Sequence, residues 1–424
     1  MVKMKDSGIE WIGEIPETWK VVRGKNILKL LSRKVEPDYE IITAFRDGQV
    51  TLRKNRRTEG FTISTKEIGY QGVKANDLVV HAMDGFAGAI GISDADGKAS
   101  PVLNILDSNQ NKRYVMYYLR VCALLGVFQA LAKGIRIRTA DTRWDTLKNL
   151  NYLLPPKSEQ QQIADFLDHK TAEIGGLIDK IHTEIDTLKQ YQSSVITQAV
   201  TKGLDPNVQM KDSGSEWIGE IPETWKTIKV KYLVDKLERG TAPKYTELHE
   251  TQVVNQATFS KGFFDKSNMR YSTIPASQSR GLLQYQDVLV ASTGGGVLGK
   301  VHYFTEHEEF VADSHVTIVR FIAQKLIPKF GYYYLSTLYD VFNNVMAQGS
   351  TNQIELKRDT FANSFIPFPR IEEQRVIVDY LDQKVTQIQK LINSKQQQIN
   401  QLTEYKNSLI FEYVTGKKQV KEAN

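Results

Sequence analysis

The stretch MKDSGIEWIGEIPETWK at residues 4–20 returns almost unchanged as MKDSGSEWIGEIPETWK at residues 210–226. The two copies differ at a single position, where Ile9 stands against Ser215. A match of this length does not arise by chance, and self-similarity of this kind indicates a repeated structural unit. We therefore expect the chain to contain two copies of one fold, each of which opens with this tag.

A second pair of matching segments follows the tags. Residues 155–201 align without gaps on residues 369–415, whereas the bodies in between, 24–140 and 230–354, share only scattered features. The second body is about eight residues longer than the first. Similar frames around different bodies predict one scaffold that presents two different surfaces. The matched positions of the endings include Glu159-Gln160 with Glu373-Gln374 and Leu167-Asp168 with Leu381-Asp382, and a feature shared by the bodies is Tyr117-Tyr118-Leu119 with Tyr333-Tyr334-Leu335.

Both endings carry apolar residues that recur every seven positions, as in helices that wind around each other. Prolines at 155, 156, 367 and 369 mark the helix starts, because proline suits the first turn of a helix but not its interior. About 44 residues would form a rod of roughly 65 Å. The alternative is an ordinary amphipathic helix on a globular core, but two matched copies favour antiparallel pairing with each other. The expected pairing positions are Ile174, Ile178, Ile181, Ile185, Leu188, Ile388, Ile392, Ile399 and Leu402, with Lys395 interrupting the second seam.

The bodies are predicted to be mixed α/β and mostly β-rich. Residues 78–92 and 287–304 are β-branched and punctuated by glycine, as hairpins are, whereas 112–133 and 329–347 have helical character. The predicted fold class is α+β: two β-rich mixed α/β domains separated by two long antiparallel helices that form a coiled coil, with a pseudo-two-fold internal repeat. The expected divisions are a first domain at 1–153, a first long helix at 154–203, a linker at 204–209, a second domain at 210–367, a second long helix at 368–416 and a polar tail at 417–424.

Composition and charge narrow the class of protein. The 424 residues are too many for one ordinary core. A single cysteine, Cys122, allows no intramolecular disulfide, which fits a reducing compartment. No apolar run approaches the roughly 18 to 20 residues of a membrane span, and the N-terminus lacks the apolar core of a secretory signal. We therefore expect a cytoplasmic protein. The net charge of +6 is too small to identify a polyanionic partner by itself.

Several residues invite a catalytic or metal-binding interpretation that their surroundings do not support. Residues 294–300, GGGVLGK, satisfy the phosphate-loop pattern G-x-x-x-x-G-K. Val301 stands where such a loop needs Ser or Thr, and strand-like residues follow where it needs a helix. Histidines such as His81, His302 and His315 show no ligand spacing on a shared helix, and one cysteine cannot form a thiolate cluster. We expect no catalytic residue and no metal ligand in this chain.

Basic clusters are the stronger signal. Residues 53–57 place four cations in five positions, and the second body interleaves cations with aromatic residues. Arg and Lys neutralise phosphates and release counterions, while Arg, Asn and Gln read base edges through paired hydrogen bonds. A single basic cluster is more simply explained as a solvent-exposed face. Two bodies that each carry such a cluster favour a nucleic acid as the binding partner. The expected DNA-binding residues are Arg46, Arg53, Lys54, Asn55, Arg56, Arg57, Arg136, Arg138, Arg143, Arg239, Lys244, Lys261, Arg270, Arg280, Asn352 and Gln353.

With these features, the chain closely resembles the specificity subunit of type I restriction–modification systems. The resemblance covers essentially the whole chain, and its most specific carrier is the repeat of tag plus helix. The motifs are EWIGEIPETW at 10–19 and 216–225, the P-x-x-x-E-Q openings at 155–160 and 369–374, the heptad-bearing helices, and DGKASP at 96–101.

The resemblance implies two target recognition domains, each reading one half of a bipartite site in double-stranded DNA. The helices would set the unread spacer and dock two methyltransferase subunits, which would methylate adenine with S-adenosylmethionine. Restriction subunits with translocase and nuclease activity would join them, using ATP and magnesium. The chain itself would need no cofactor. Two alternatives stay open: a stand-alone nucleotide-binding enzyme that uses the 294–300 loop, and a coiled-coil scaffold that binds only protein.

Overall fold

A computed structural model describes residues 3–56, 67–131, 142–248, 251–267, 269–349 and 354–420. Contacts divide the chain into two compact units, here called unit 1 (Met1–His182 with Gln396–Asn424) and unit 2 (Thr183–Lys395). The two long helices are α4 (Lys157–Lys202) and α9 (Ile371–Val414). Each of them contributes one part to each unit, because both unit boundaries fall inside these helices.

Unit 1 contains a β-rich domain with three short helices among its described residues. Its strands are β1 (Met4–Asp6), β2 (Glu14–Pro16), β3 (Lys20–Arg23), β4 (Leu28–Leu30), β5 (Ile42–Ala44), β6 (Val50–Leu52), β7 (Gln71–Val73), β8 (Leu78–His81), β9 (Ile90–Ile92), β10 (Gly97–Ala99), β11 (Leu103–Ser108) and β12 (Asn151–Leu154). Its short helices are α1 (Lys112–Leu124), α2 (Val127–Ala130) and α3 (Trp144–Asn149).

A four-stranded antiparallel sheet in the order β4-β11-β8-β9 organises this domain. Successive side chains of a strand point to opposite faces, so each face of the sheet can carry its own core. Leu78 and Val80 of β8 join the cluster that includes α1, whereas Val79 joins the cluster built by β5, β6, β7 and β10. Helix α1 begins after Asn111, whose side chain accepts hydrogen bonds from two backbone N–H groups of the first turn.

Unit 2 contains a second β-rich domain. Its strands are β13 (Met210–Asp212), β14 (Glu220–Pro222), β15 (Lys226–Lys229), β16 (Val234–Arg239), β17 (Tyr245–Thr246), β18 (Thr251–Val254), β19 (Arg270–Ser272), β20 (Val288–Ala291), β21 (Val301–Tyr303), β22 (Phe310–Ala312), β23 (Val316–Phe321), β24 (Ala347–Gln348), β25 (Glu355–Leu356) and β26 (Phe365–Phe368). Its short helices are α5 (Gln256–Phe259), α6 (Pro328–Ser336), α7 (Tyr339–Asn344) and α8 (Arg358–Asn363).

The second domain repeats the topology of the first. Its main sheet has the order β16-β23-β20-β21, so β20 and β21 correspond to β8 and β9, and β18 pairs with β19 as β5 pairs with β6. The segments between these paired strands differ in length. Residues 45–49 form a short turn, whereas 255–269 contain helix α5. This difference contributes to the greater length of the second body.

The repeated sequence motifs meet at the start of each long helix. Trp19 of the first tag is buried and donates from Nε1 to Glu159 Oε2 at 3.2 Å. In unit 2, Trp225 donates to Glu373 Oε1 at 2.9 Å. The neighbouring glutamines are fully buried and bind backbone groups, as in the Gln160 bonds to Asn111 N and Pro155 O. The tag and the P-x-x-x-E-Q opening are therefore two halves of one contact that fixes domain to helix.

The parts of the long helices that share a unit run antiparallel. In unit 1 the Phe166 and Tyr413 rings lie 4.5 Å apart, and Leu167 and Leu409 belong to one core cluster. In unit 2 the end of α4 shares a cluster with the beginning of α9. The predicted pairing positions are buried at Ile174, Ile185, Ile388 and Ile399 and half-buried at Ile178, Ile181, Leu188, Ile392 and Leu402. The mixed α/β fold with two long helices is thus confirmed.

Three details differ from the sequence-based expectation. The first long helix begins at Lys157, not 154, because Leu154 ends β12 and two prolines follow. The helix expected over 112–133 is interrupted after α1 at Gly126, whose φ of +70° is not helical. The helix expected over 329–347 is two helices, α6 and α7. Within the described ranges, no helix has both the length and the apolar character to cross a membrane.

Candidate nucleic-acid interface

The basic cluster predicted for the first domain lies on the β5–β6 hairpin and the turn that follows it. Arg46 lies between the two strands, and Arg53–Asn55 form one 3-10 turn directly after β6. Arg56 folds back on the hairpin, with its guanidinium carbon 4.5 Å from the centre of the Phe45 ring. The structure therefore brings these sequence-predicted residues together on one hairpin.

These side chains have polar or acidic neighbours that the sequence did not reveal, because several come from separate strands. The exposed fraction of Arg46 is 68%, and exposed ion pairs contribute little to stability. A phosphate could therefore replace such a carboxylate at small energetic cost. The contacts are Arg46 with Asp84 at 2.9 Å, Arg53 with Thr43 at 3.2 Å, Lys54 with Glu40, Asn55 with Thr51 at 2.9 Å, and Arg56 with Asp47 at 2.5 Å.

One further predicted DNA-binding residue of the first domain is described by the structure and does not belong to this hairpin. Arg143 is exposed and immediately precedes α3. Five of the predicted DNA-binding residues lie outside the described ranges. They are Arg57, Arg136 and Arg138 in the first domain and Asn352 and Gln353 in the second.

Two arginines predicted for the second domain line one open cleft of about 720 Å³. We call it the cationic cleft and define it by Arg239, Arg280, Lys357 and Arg358. Arg239 ends β16 and pairs with Glu355 at 3.0 Å. Lys357 and Arg358 were missed by sequence reasoning, because only the β24–β25 hairpin and the start of α8 bring them to this cleft. Cations from three segments thus line one concave surface, together with the carboxylates of Glu238, Glu355 and Asp359. Lysine and arginine are the side chains that neutralise phosphates.

The other predicted cations of the second domain do not line this cleft. Lys244 is exposed, and Lys261 pairs with Asp265 at 2.8 Å. That ion pair, with a bond from Ser267, holds the pKa of the Asp265 carboxyl well below its usual range. Arg270 places its guanidinium 5.0 Å from the centre of the Tyr245 ring, a cation–π distance.

A second open cleft of about 740 Å³ adjoins the cationic cleft. We call it the polar cleft and define it by Gln256, Thr293, His315, Gln348 and Glu355. The two clefts are contiguous because Gln348 and Glu355 line both. Gln348 and Arg239 both donate to the Glu355 carboxylate, and these hydrogen bonds lower the pKa of that carboxyl. Sequence reasoning missed Gln256 and Thr293 as site residues, although each follows an apolar strand closely.

Hydrogen bonds order the polar cleft. Thr293 Oγ1 lies 2.8 Å from His315 Nδ1 and donates to Gln256 Oε1 at 3.3 Å. The backbone of His315 is held in turn, because its N–H donates to Asp313 Oδ1 at 2.8 Å. Asp313 is almost fully buried, and burial raises the pKa of its carboxyl. The cleft thus presents amide and imidazole groups on a fixed backbone.

The backbone that follows the loop considered for nucleotide binding, and the contacts of His81 and His302, fit structural roles. Strand β21 begins at Val301, directly after the GGGVLGK loop, where a phosphate loop would continue into a helix. His302 stacks between Phe259 and Phe264, and burial lowers its pKa to about 4. His81 accepts backbone hydrogen bonds from Met83 and Asp84. Among the described residues, no group of three or more potential ligands is placed to hold a metal ion.

Comparison with known proteins gives concordant matches. Residues 222–401 match the family described as type I restriction modification DNA specificity domain. The chain is 25% identical to the type I restriction enzyme MjaVIII specificity subunit of Methanocaldococcus jannaschii, over 97% of this chain and 95% of that one. It is 26% identical to the putative type I restriction enzyme MjaX specificity subunit of the same organism, over 97% and 96%.

A solved structure shares the fold. Its chain belongs to a study of complex assembly and conformational transition of the type I R-M system. The two chains superpose with a TM-score of 0.68 at 14% identity, covering 94% of this chain and 98% of the other. Residues 222–401 thus carry the type I restriction modification DNA specificity domain, and the chain as a whole is similar to specificity subunits of type I restriction enzymes.

Proposed function

We propose that this chain binds a bipartite site in double-stranded DNA and directs partner adenine methyltransferase and restriction subunits to it. Residues 1–153 and 210–367 are the two target recognition domains, the linker 204–209 connects the first long helix to the second domain, and 417–424 form a polar tail. The spacer helices correspond to 154–203 and 368–416. Each domain reads one half of the site, and the helices determine the length of the unread spacer.

The observation that carries this proposal is that the two domains share one scaffold but have different polar side chains at equivalent positions. The two domains share their main-sheet order and the contact of a buried tag tryptophan with a helix-start glutamate. Near the equivalent strand ends, however, the first domain has the Arg46–Asp84 pair and the second has Gln256 with Thr293. A common frame with different polar groups suits two different half-sites on one duplex.

The predicted site residues divide by chemistry. Lysines and arginines give phosphate contacts and register, whereas arginine and amide groups that reach base edges give sequence information. We propose phosphate contacts for Lys54, Arg56, Arg57, Arg136, Arg138, Arg143, Lys244, Lys261 and Arg270, contacts to phosphate or base for Arg46, Arg53, Arg239 and Arg280, and base contacts for Asn55, Asn352 and Gln353.

The partners follow from the family. Two methyltransferase subunits with S-adenosylmethionine dock on this chain, and restriction subunits with ATP and magnesium join the assembly in the cytoplasm. The relatives are named as specificity subunits of type I restriction enzymes, and the solved chain comes from a type I assembly. The work of this chain is then to position those catalytic subunits on the DNA.

Co-expression with the partner methyltransferase subunit, followed by mapping of methylated adenines, tests the proposal. We expect one bipartite motif with a fixed spacer. Exchange of residues 24–140 for the body of another family member should change one half of that motif and leave the other half intact, and it identifies the half read by each domain. Methylation without a defined motif, or a change in both halves, would contradict the proposal.

A further inference from the structure

The polar cleft lies at a corner of the second domain that has a counterpart in the first. Gln256 lies two residues past the end of β18, and Thr293 lies two residues past the end of β20. In the first domain, Arg46 lies two residues past the end of β5, and Asp84 lies three residues past the end of β8. The two corners occupy equivalent places in the topology but carry different hydrogen-bonding groups.

A chain of hydrogen bonds orients the Gln256 carboxamide. A carboxamide oxygen only accepts, so the Thr293 hydroxyl donates to it, and His315 Nδ1 then donates to that hydroxyl. The Gln256 amide nitrogen makes no hydrogen bond with the residues that the structure describes, and the oxygen keeps a second lone pair. The carboxamide therefore offers one donor and one acceptor side by side.

The loop after β20 allows a ligand to approach this amide. Gly294 has a φ of +88°, and a side chain there would place its Cβ 3.2 Å from Gln256 Nε2. Glycine thus both permits the turn and keeps the space beside the amide open. Gln256 is half-buried and His315 is exposed, so the hydrogen-bonded groups form one wall of an open cleft.

The neighbouring cationic cleft supplies side chains that can bind DNA phosphates beside a base-reading surface. Arg239 binds Glu355, which lines both clefts, and Arg280 lines the cationic cleft. Base contacts alone give little affinity, whereas adjacent phosphate contacts fix the register in which bases are read. A duplex whose backbone lies on the cationic cleft would present base edges to the polar cleft.

We propose that the polar cleft is the base-reading surface of the second recognition domain and that Gln256 reads an adenine there. This inference rests on the proposed function. A carboxamide binds the N6 and N7 edge of adenine with one acceptor and one donor, and such a pair discriminates against other bases by roughly tenfold to a hundredfold. Gln256 is the specificity-determining residue, and Thr293 is a positioning residue that acts through it.

The test uses the complete methyltransferase complex and motif mapping. Gln256→Glu replaces the donor with a second acceptor, so the preferred base at one position of the second half-site should change from adenine toward cytosine, whose N4 donates. Gln256→Ala should lose discrimination at that same position by roughly tenfold to a hundredfold. The first half-site should stay unchanged in both variants.

The matched control is Gln284→Glu, an exposed glutamine that precedes β20 and lies at the opposite end of this strand. It should leave the motif intact. Thr293→Val should weaken the preference without changing the preferred base, and Thr293→Ser, which keeps the hydroxyl, should restore it. A Gln256→Glu complex that methylates with wild-type preference at every position would overturn the inference. If the wild-type complex methylated DNA without any defined motif, the proposed function itself would be refuted.

Discussion

The cationic cleft contains Arg239, which is held by protein contacts, and Arg280, which is exposed. Arg239 is tied to Glu355 and to the Leu356 carbonyl, so its guanidinium supports the β24–β25 hairpin as well as facing the cleft. Arg280 is exposed, and its guanidinium has no hydrogen bond or ion pair with residues in the described ranges. Removal of Arg280 should therefore affect a ligand without disturbing the fold.

Arg280→Ala should weaken DNA binding by the assembled complex and reduce the dependence of log affinity on log salt by about one for each lost phosphate contact. Fluorescence anisotropy with a labelled duplex at several salt concentrations measures this slope. Lys231→Ala is the control, because Lys231 precedes β16 at the end opposite Arg239 and binds Asn363. Equal slopes for wild type and Arg280→Ala would place Arg280 outside the interface.

His302 makes the stability of the second domain depend on pH. Burial between Phe259 and Phe264 lowers the pKa of His302 to about 4, below about 6.5 for an unfolded histidine. Between these values the unfolded chain binds a proton that the folded chain does not. The free energy of unfolding should therefore fall as pH falls from 6.5 toward 4, by at most about 1.4 kcal/mol per pH unit.

Urea titrations at several pH values should show a shallower decline for His302→Gln than for wild type. His307→Gln is the comparison, because His307 is exposed and stacks on the Tyr285 ring at 4.9 Å. If His302→Gln kept the wild-type dependence on pH, another group would be responsible for it.

At the scale of elements, the long helices depend on a narrow apolar seam. Ile174 is 4% exposed, whereas Leu177, three residues further along α4, is 46% exposed. Lys395 interrupts the seam but meets Glu184 within unit 2, so its ammonium group has a partner. Heptad periodicity anticipated the seam, and it could not show which acidic residue would meet Lys395.

Ile174→Ala should lower the free energy of unfolding by about 2–5 kcal/mol, because it removes buried methyl groups and leaves a cavity. Leu177→Ala should change it by less than about 1 kcal/mol, since that side chain is half in water already. Chemical denaturation followed by helical circular dichroism compares the two variants. Similar losses in both would mean that the seam does not run through Ile174.

At the scale of the whole molecule, the proposed function makes the helices a ruler for the unread spacer. One added heptad in each helix keeps the apolar phase and adds about 10 Å of helix, or roughly three base pairs of DNA. Glu184 meets Lys395, so insertions directly after Glu184 and directly before Lys395 lie at the same level. The methylated motif should keep both half-sites and gain about three base pairs between them.

A seven-residue insertion in the 204–209 linker is the control, because it leaves both helices at their original length. The spacer should then stay as in the wild type. An unchanged spacer in the double-heptad variant, with methylation retained, would show that the helices do not set it.

The sequence by itself determined the duplication, the long helices and the resemblance to a known family, because these are properties of local order along the chain. A near-identical tag, a seven-residue apolar period and proline positions need no knowledge of distant contacts. The same reasoning was wrong in predicting one helix over 112–133. The positive φ of Gly126 interrupts that helix after α1.

Only the tertiary structure decided which side chains share a surface. Gln256, Thr293 and His315 come from different segments, and strand pairing around β18, β20 and β23 brings them to one cleft. Likewise the acidic partners of the predicted cations, such as Asp84 for Arg46 and Glu355 for Arg239, lie far away in sequence. Hydrogen bonds and ion pairs act over a few ångströms of space, so a pattern read along the chain cannot locate them until the sheet is formed.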